Sequence, residues 1–241
     1  MEWHPSADNV LASAGHDNMV VVWNVKKGVA ITTILCHTDT VHSLGWDRTG
    51  ARLATTCKDK RLRLIDARTG SVQAWCQAHP GGKASKVVWL ADKNLIFTTG
   101  FSRHSERQFA LWDPSDLSKP VRLETLDCSS GVLNPIYDPD TSMMYLIGRG
   151  DGNVRFYEIL PEAPWVFYLS EFVSGTPHRS LAVLPKVIIP YPVTQIILFP
   201  VQEGCGCDVV RGDPVLQAPH KQGHGGAHLH GGPQEDRRVP R

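Results

Sequence analysis

The strongest constraint on the fold of this 241-residue chain is an internal repeat. Short apolar runs end on an aromatic or branched residue that precedes Asn, Asp or Glu, and these end residues recur at intervals of 42, 47 and 45 positions: Trp23, Ile65, Trp112 and Tyr157. A period of about 40 to 45 residues that closes on a Trp-Asp-like pair is the signature of a β-propeller blade, whose four short strands cannot bury both faces alone. The sequence therefore predicts blades that stack on one another.

Polar residues recur in step with the repeat. An Asp stands six residues before the end residue in three copies, and a Ser or Thr stands four residues further upstream in two of them. Two histidines precede the first strands of the second and third copies. We expect these groups to satisfy one another in the interior of each blade, because buried polar groups need partners. The positions are Ser13, Asp17, Trp23, His37, Thr55, Asp59, His79, Trp112 and Asp151.

The spacing sets the expected domain organisation. Residues 1–186 are predicted to form a partial propeller of about four blades, at about 1–35, 36–77, 78–125 and 126–172. From 187 to 241 the chain loses its periodicity, and Gly and His dominate its end, so an irregular or disordered tail is expected there. The fold class is accordingly all-β.

Composition excludes several classes of function. The 25 basic and 24 acidic residues leave a net charge of +1, which gives no global field for nucleic acid or a membrane surface. The longest apolar run, Val187–Val201, contains three prolines, so no membrane span is expected. Six cysteines without a Cys-x-x-Cys pair indicate reduced thiols in a cytoplasmic protein.

A His/Ser/Asp set also invites a catalytic interpretation, with His activating a hydroxyl. The chain has no Gly-x-Ser-x-Gly nucleophile elbow, and the groups recur once per blade as structural groups would. We therefore expect no enzyme activity and no cofactor.

Bases are concentrated at two places. Lys58, Lys60, Arg61 and Arg63 surround Asp59, and the pattern fits a solvated strand face or a surface that meets an acidic protein. Arg103 and Arg107 lie in a polar loop that is longer than the tight turns of the other copies, and such loops serve equally well for binding or for internal pairing. All six are predicted as exposed bases that could contact a partner.

Several stretches resemble the coronins, a family of WD-repeat proteins. The resemblance covers residues 1 to about 186 and is carried by Phe97-Thr98-Thr99-Gly100-Phe101-Ser102-Arg103, Ser105-Glu106-Arg107-Gln108, Ala110-Leu111-Trp112-Asp113-Pro114, Tyr137-Asp138-Pro139-Asp140-Thr141-Ser142 and Gly150-Asp151. Weaker likenesses are Trp3-His4-Pro5, Ser13-Ala14-Gly15 and Asp17-Asn18.

The resemblance implies a seven-bladed propeller that binds filamentous actin and regulates the actin cytoskeleton at the cell cortex. It also implies a C-terminal coiled coil that helps to engage the actin-nucleating complex of actin-related proteins. We expect this chain to depart from that plan at both ends, lacking the earlier blades with their basic surface and the coil, which would weaken contact with the nucleating complex. Two alternatives stay open: a WD-repeat interaction scaffold that does not bind actin, and a truncated isoform without function.

The tail has two interpretations. Back-translation of Glu203 to His220 in a shifted frame permits seventeen coronin-like residues, which predicts that 187 to about 202 derive from an intron and that the remainder is read out of frame. The rival interpretation is a metal site, because Cys, His and a flexible segment can bind zinc. Its ligands would be Cys205, Cys207, His220, His224, His228 and His230, but nothing in the sequence fixes their geometry, and we predict no metal there.

Overall fold

The computed structural model describes residues 1–184, 195–200 and 208–211. All regular elements in these ranges are β-strands, arranged in five antiparallel sheets. In each sheet the strands pair in chain order, so that every sheet is a meander. The all-β architecture of repeated four-stranded sheets, predicted from the period of the sequence, is confirmed.

Four sheets have four strands each. The first contains β1 (Glu2–Trp3), β2 (Val10–Ala14), β3 (Val20–Asn24) and β4 (Val29–Ile34). The second contains β5 (Val41–Trp46), β6 (Arg52–Cys57), β7 (Arg61–Asp66) and β8 (Val72–Gln77). The third contains β9 (Lys86–Leu90), β10 (Leu95–Phe101), β11 (Arg107–Trp112) and β12 (Arg122–Asp127). The fourth contains β13 (Leu133–Asp138), β14 (Met143–Gly148), β15 (Asn153–Ile159) and β16 (Val166–Val173).

Burial changes from the inner to the outer strands. The second and third strands of the middle sheets are covered on both faces, and β10, β11 and β14 are buried along their whole length. Outer strands such as β8 and β12 alternate between exposed and half-buried positions. A strand packed between two other sheets reads as a continuous apolar run, whereas a solvated edge strand alternates.

The end residues of the repeat seal the contact between neighbouring sheets. Ile65 packs with core residues of the first sheet, and Trp112 packs with Ala54 and Leu64 of the second. Tyr157 meets Phe109 of the third sheet edge to face, with ring centroids 5.6 Å apart. Each fully buried side chain of this size stabilises the fold by about 1.5–3 kcal/mol. Burial also raises the pKa of Tyr157 to about 12.

Each of the four sheets carries a β-bulge between its third and fourth strands. In the first, second and fourth sheets the bulge falls at the repeat position itself, directly before Trp23, Ile65 and Tyr157. The additional residue lies on the outer strand, as Ile31 does between Ala30 and Thr32. The repeat is therefore present in the backbone as well as in the side chains.

The fifth sheet has three strands, β17 (His178–Leu184), β18 (Gln195–Pro200) and β19 (Asp208–Arg211). Ile196 is fully buried against Met143 and Tyr145 of the fourth sheet. Residues 195–200 and 208–211 lie within the predicted tail; 195–200 form β18, which pairs with β17, and 208–211 form β19, which pairs with β18. The rest of the predicted tail lies outside the described residues, so its interpretation as intron-derived and frame-shifted sequence stays a prediction.

Within the described residues the series of sheets stays open. Each of the second to fifth sheets packs on the sheet before it, whereas the corresponding side of the first sheet, with Trp23, faces no other sheet of that part of the chain. Trp3 on the same sheet is 62% exposed. Among the described residues there is also no helix long and apolar enough to cross a bilayer.

Candidate functional site

The third sheet contains the most complete set of the recurring polar residues. Gln108 Nε2 lies 2.8 Å from His79 Nδ1, and His79 Nε2 lies 2.9 Å from Thr98 Oγ1. Trp112 Nε1 donates to the same oxygen over 2.9 Å, and Thr98 donates to the carbonyl of Ala110. The consistent assignment is a neutral imidazole that accepts from Gln108 and donates to Thr98. Burial lowers the pKa of His79 to about 4, which agrees with that assignment.

A close contact holds the imidazole in place. Gly100 stands directly over the ring, where a Cβ atom would lie 2.4 Å from the His79 Cγ atom. Any larger residue at position 100 would therefore displace the histidine, which explains the requirement for glycine in this strand.

The second sheet keeps a shorter version of this set. His37 Nε2 lies 2.8 Å from Thr55 Oγ1, and burial lowers the pKa of His37 to about 4. Asp59 accepts from Thr38 Oγ1 at 3.0 Å and from both terminal nitrogens of Arg63. Burial alone would raise the pKa of Asp59, but the Arg63 guanidinium and the Arg61 N–H hold it well below its usual range.

The first and fourth sheets retain only parts of the set. Trp23 Nε1 donates to Ser13 Oγ over 2.8 Å, and Asp17 accepts the Met19 N–H inside the β2–β3 turn. Asp151 of the fourth sheet does not meet a histidine in its own sheet; its carboxylate accepts from Ser129 Oγ and from Arg107 of the third sheet.

Arg107 is therefore an internal bridge between the third and fourth sheets. Its guanidinium donates to both carboxylate oxygens of Asp127 over 2.6 Å and to Asp151 over 2.5 Å. Arg155 of β15 also binds Asp127 Oδ2, at 2.6 Å. The pKa of Asp127 would be raised by burial, but hydrogen bonds from Arg107, Ser129 and Arg155 hold it far below its ordinary value. Gly148 leaves the room for this junction, since a Cβ there would lie 2.0 Å from Asp151 Oδ2.

The expected exposure of Arg63 and Arg107 is wrong. Arg63 is 3% exposed and Arg107 is 2% exposed, because each guanidinium is drawn inward by carboxylates that need a partner in the interior. Lys58, Lys60, Arg61 and Arg103 are exposed, as expected. Their role as contacts for a partner stays a prediction.

The four exposed bases share one face of the molecule. In a meander of four strands, the turn between the second and third strands lies at the same end as the connection to the next sheet. The Lys58 N–H accordingly bonds to the Thr40 carbonyl in the connection between β4 and β5. We call this side the central-turn face; it contains the β2–β3, β6–β7, β10–β11 and β14–β15 turns and the connections between sheets. The other turns form the opposite face.

Three carboxylates of the central-turn face are neutralised by the buried arginines Arg63 and Arg107: Asp59, Asp127 and Asp151. Asp39 instead forms an exposed pair with Lys58, whose Nζ atom lies 3.7 Å away. Lys60 and Arg103 have no carboxylate within ion-pair distance among the described residues, and the Arg61 guanidinium lies 4.2 Å above the Trp75 ring. The face is thus able to attract an acidic surface.

The comparisons with known proteins agree with this geometry. The family model described as the anaphase-promoting complex subunit 4 WD40 domain matches residues 1–92. Coronin-2A of Homo sapiens is 46% identical, over 77% of this chain and 36% of the relative. Coronin-2B of Homo sapiens is 47% identical, over 83% of this chain and 52% of the relative, and the coronin-like protein crn1 of Schizosaccharomyces pombe is 44% identical, over 77% and 31%.

A solved structure adds the fold. The WD40 domain of Toxoplasma gondii coronin superposes with a TM-score of 0.77 at 29% identity, over 87% of this chain and 54% of that chain. This chain is a coronin homologue. It spans between about a third and about half of the length of the curated relatives named here.

Four residues of the site were not predicted from the sequence. Thr98 and Gln108 were not identified, because the serine or threonine stands 14 residues before the tryptophan in the third sheet and 10 before it in the first. Subtracting the four additional residues of the β10–β11 loop would have aligned Thr98 with Ser13. Asp127 and Arg155 gave no signal, since Asp127 is at the end of β12, outside the recurring positions, and Arg155 reaches it from the following sheet.

Within the described part of this coronin homologue, no three His, Cys, Asp or Glu side chains are placed to hold a metal ion. The cysteines and histidines considered for a zinc site in the tail lie outside the described residues. The hydroxyl of Thr55, which the sequence offered for activation by histidine, is fully buried and bonds to His37, and the Thr98 hydroxyl is equally buried and bonds to His79 and Trp112.

Proposed function

We propose that this protein binds actin filaments through the exposed bases of the central-turn face and contributes to organising the actin cytoskeleton. The observation that carries the proposal is homology to the coronins, which are actin-associated WD-repeat proteins, over about three quarters of the chain. The role is one of binding rather than of catalysis, since the recurring histidines and hydroxyls are buried and hydrogen-bonded to one another inside the sheets.

Electrostatics supports the choice of surface. The buried arginines neutralise the interior carboxylates of the central-turn face, so Lys60, Arg61 and Arg103 present their charge outward. The surface of an actin filament is acidic, and attraction between exposed charges weakens once ions shorten the screening distance. Arg63 and Arg107 take no part in the proposed contact.

The test is cosedimentation with filamentous actin at about 50 mM and about 300 mM KCl, between which the Debye length falls roughly from 14 to 6 Å. The wild-type protein should pellet with filaments at low salt and much less at high salt. The variant Lys60→Glu/Arg61→Glu/Arg103→Glu should lose most of the low-salt binding.

The matched control is Lys26→Glu/Lys27→Glu/Arg68→Glu, which reverses three exposed charges on the opposite face. It should pellet like the wild type. Absence of pelleting at low salt would favour an interaction scaffold that does not bind actin, and equal losses in both variants would assign the effect to net charge instead of to this surface. Far-UV circular dichroism of both variants checks that they fold.

Two finer expectations follow from the family. We expect the protein to concentrate at the actin-rich cortex of the cytoplasm, and contact with the actin-nucleating complex of actin-related proteins is part of the same proposal. Colocalisation of a fluorescently tagged chain with filaments, compared with the triple variant of the central-turn face, tests the first. A pull-down of the purified nucleating complex tests the second.

A further inference from the structure

A cleft opens between the fourth and fifth sheets, and the β14–β15 turn of the central-turn face forms part of its rim. Its larger part has a volume of about 580 Å³ and lies between β13, the end of β14 and the beginning of β17. A second part of about 480 Å³ continues to the connection before β13. Both volumes fall in the range of about 300–1,000 Å³ that is usual for ligand sites.

Two arginines form the rim of both parts. Arg149 is in the β14–β15 turn and Arg179 is near the start of β17, and both side chains are exposed. Neither side chain has an ion-pair partner among the described residues. Arg179 is the additional residue of a β-bulge between His178 and Ser180, which takes it out of the ladder, and bulges commonly re-aim side chains next to binding sites.

Backbone hydrogen bonds join the β14–β15 turn to the segment before β13 and to the start of β17. The Arg149 N–H bonds to the Val132 carbonyl, while the Gly150 N–H bonds to the His178 carbonyl and the His178 N–H bonds to the Asp151 carbonyl. Gly131 permits the close packing, since a Cβ there would lie 2.2 Å from the Arg149 carbonyl oxygen. The backbone segments that carry the two arginines are therefore fixed relative to one another, which lowers the entropy lost when the arginines bind a ligand.

The lining has a definite chemistry. No acidic side chain lines either part of the cleft, and the neighbouring Asp151 carboxylate already binds Arg107 and Ser129. The floor is apolar, formed by Pro135, Ile136, Ile147 and Leu181. A cationic rim over an apolar floor fits a ligand that carries carboxylates beside an apolar side chain, because arginine binds carboxylates in bidentate geometry.

We propose that this cleft, bordered by Arg149 and Arg179, is a docking site for an acidic protein segment that inserts an apolar side chain between the fourth and fifth sheets. The site is separate from the proposed filament contact, whose bases belong to the second and third sheets. It adds a second partner to the protein, recognised by charge and by one apolar anchor together.

The test is fluorescence anisotropy of the full chain with a fluorescein-labelled peptide, Glu-Asp-Phe-Glu-Asp-Leu, in the absence of actin. Two control peptides separate the two contributions: one replaces every Glu and Asp with Gln and Asn, and the other replaces Phe and Leu with Gly. The variants are Arg149→Ala/Arg179→Ala for the site and Lys26→Ala/Lys27→Ala for the opposite face.

We expect saturable binding of the first peptide and at least about tenfold weaker binding of each control peptide, since each loses one of the two contributions. The site variant should lose at least about tenfold in affinity, whereas the opposite-face variant should match the wild type. No binding of the first peptide, equal binding of the glycine peptide, or full binding by the site variant would each overturn the proposal. Because actin is absent from the assay, failure of the filament proposal leaves this test unaffected.

Discussion

The hydroxyl of Thr98 makes three hydrogen bonds, more than the hydroxyl of the neighbouring Thr99. It receives Trp112 Nε1 and His79 Nε2, and it donates to the Ala110 carbonyl. The residue is fully buried, so no solvent can replace a lost partner. Removal of the oxygen would leave two buried donors without an acceptor, and that cost exceeds the value of an ordinary hydrogen bond.

We therefore expect Thr98→Val, which keeps the shape of the side chain, to lower the free energy of unfolding by about 2–4 kcal/mol. Urea denaturation followed by tryptophan fluorescence measures the change. Thr125→Val is the control, since Thr125 is exposed on β12, and its effect should stay within about 0.5 kcal/mol. Equal effects of the two variants would show that the hydroxyl of Thr98 contributes nothing specific.

His79 gives the protein a sensitivity to acid. Burial lowers its pKa in the folded state to about 4, from the ordinary value of 6.5. Between these values the unfolded chain binds a proton that the folded chain does not, so stability falls as the pH drops from 6.5 towards 4. Depressed carboxylate pKa values, such as that of Asp59, add a further loss only below the ordinary pKa of a carboxyl group.

We expect the melting temperature of the wild type to fall between pH 6.5 and pH 4.5. His79→Gln should start lower at pH 7 but lose less over the same interval, because the glutamine cannot titrate. Differential scanning calorimetry at several pH values gives both curves. Parallel curves would mean that His79 does not contribute to the acid response.

At the scale of strands and turns, the β10–β11 hairpin shows how an insertion changes a repeat. The longer loop, closed by Ser102 and Glu106, has no Asp at the position that Asp holds in the other sheets, and in this sheet Gln108 contacts the histidine. Arg107, next to Gln108 in the strand, binds Asp127 of β12 in its own sheet and Asp151 of the following sheet. The hairpin thus adds a contact between two sheets to one within the third sheet.

Arg107→Met should destabilise the protein by about 3–5 kcal/mol, because it removes a buried charge and leaves the half-buried carboxylates of Asp127 and Asp151 with one partner fewer. The comparison is Arg122→Met, which breaks the exposed pair with Glu124 and should cost less than about 1 kcal/mol. Chemical denaturation of both variants provides the values. If Arg107→Met costs no more than Arg122→Met, the bridge has no net stabilising role.

At the scale of the whole molecule, the order of sheets follows from local information, whereas the contacts between them do not. The period and the Asp-to-end spacing located the meanders and predicted pairs such as Ser13 with Trp23, because these residues belong to one hairpin. The burial of Arg107 depends on Asp127 and Asp151, which lie 20 and 44 residues away, and no periodic pattern encodes that meeting. The sequence therefore left open whether the polar loop with Arg107 serves binding or internal pairing, and the position of Asp151 in the next sheet decides for internal pairing.

The same distinction applies to binding. The exposed bases of the central-turn face could be named from the sequence, but the cleft beside Arg149 exists only because the fifth sheet packs against the fourth. Its apolar floor combines Ile136 and Ile147 with Leu181 from a different sheet. Sites of this kind require the relative position of two elements, which composition does not supply.

The bulged outer strands have a consequence for crowding. In the proposed complex with an actin filament, neighbouring copies would lie at regular, short distances, so that their sheet edges would meet at high local concentration. A straight edge strand can pair with a strand of another chain. An additional residue in the edge strand, such as Ile31 or Leu169, interrupts the run of unpaired amides that such pairing needs. Dense decoration of a filament is thereby compatible with each copy staying a separate molecule.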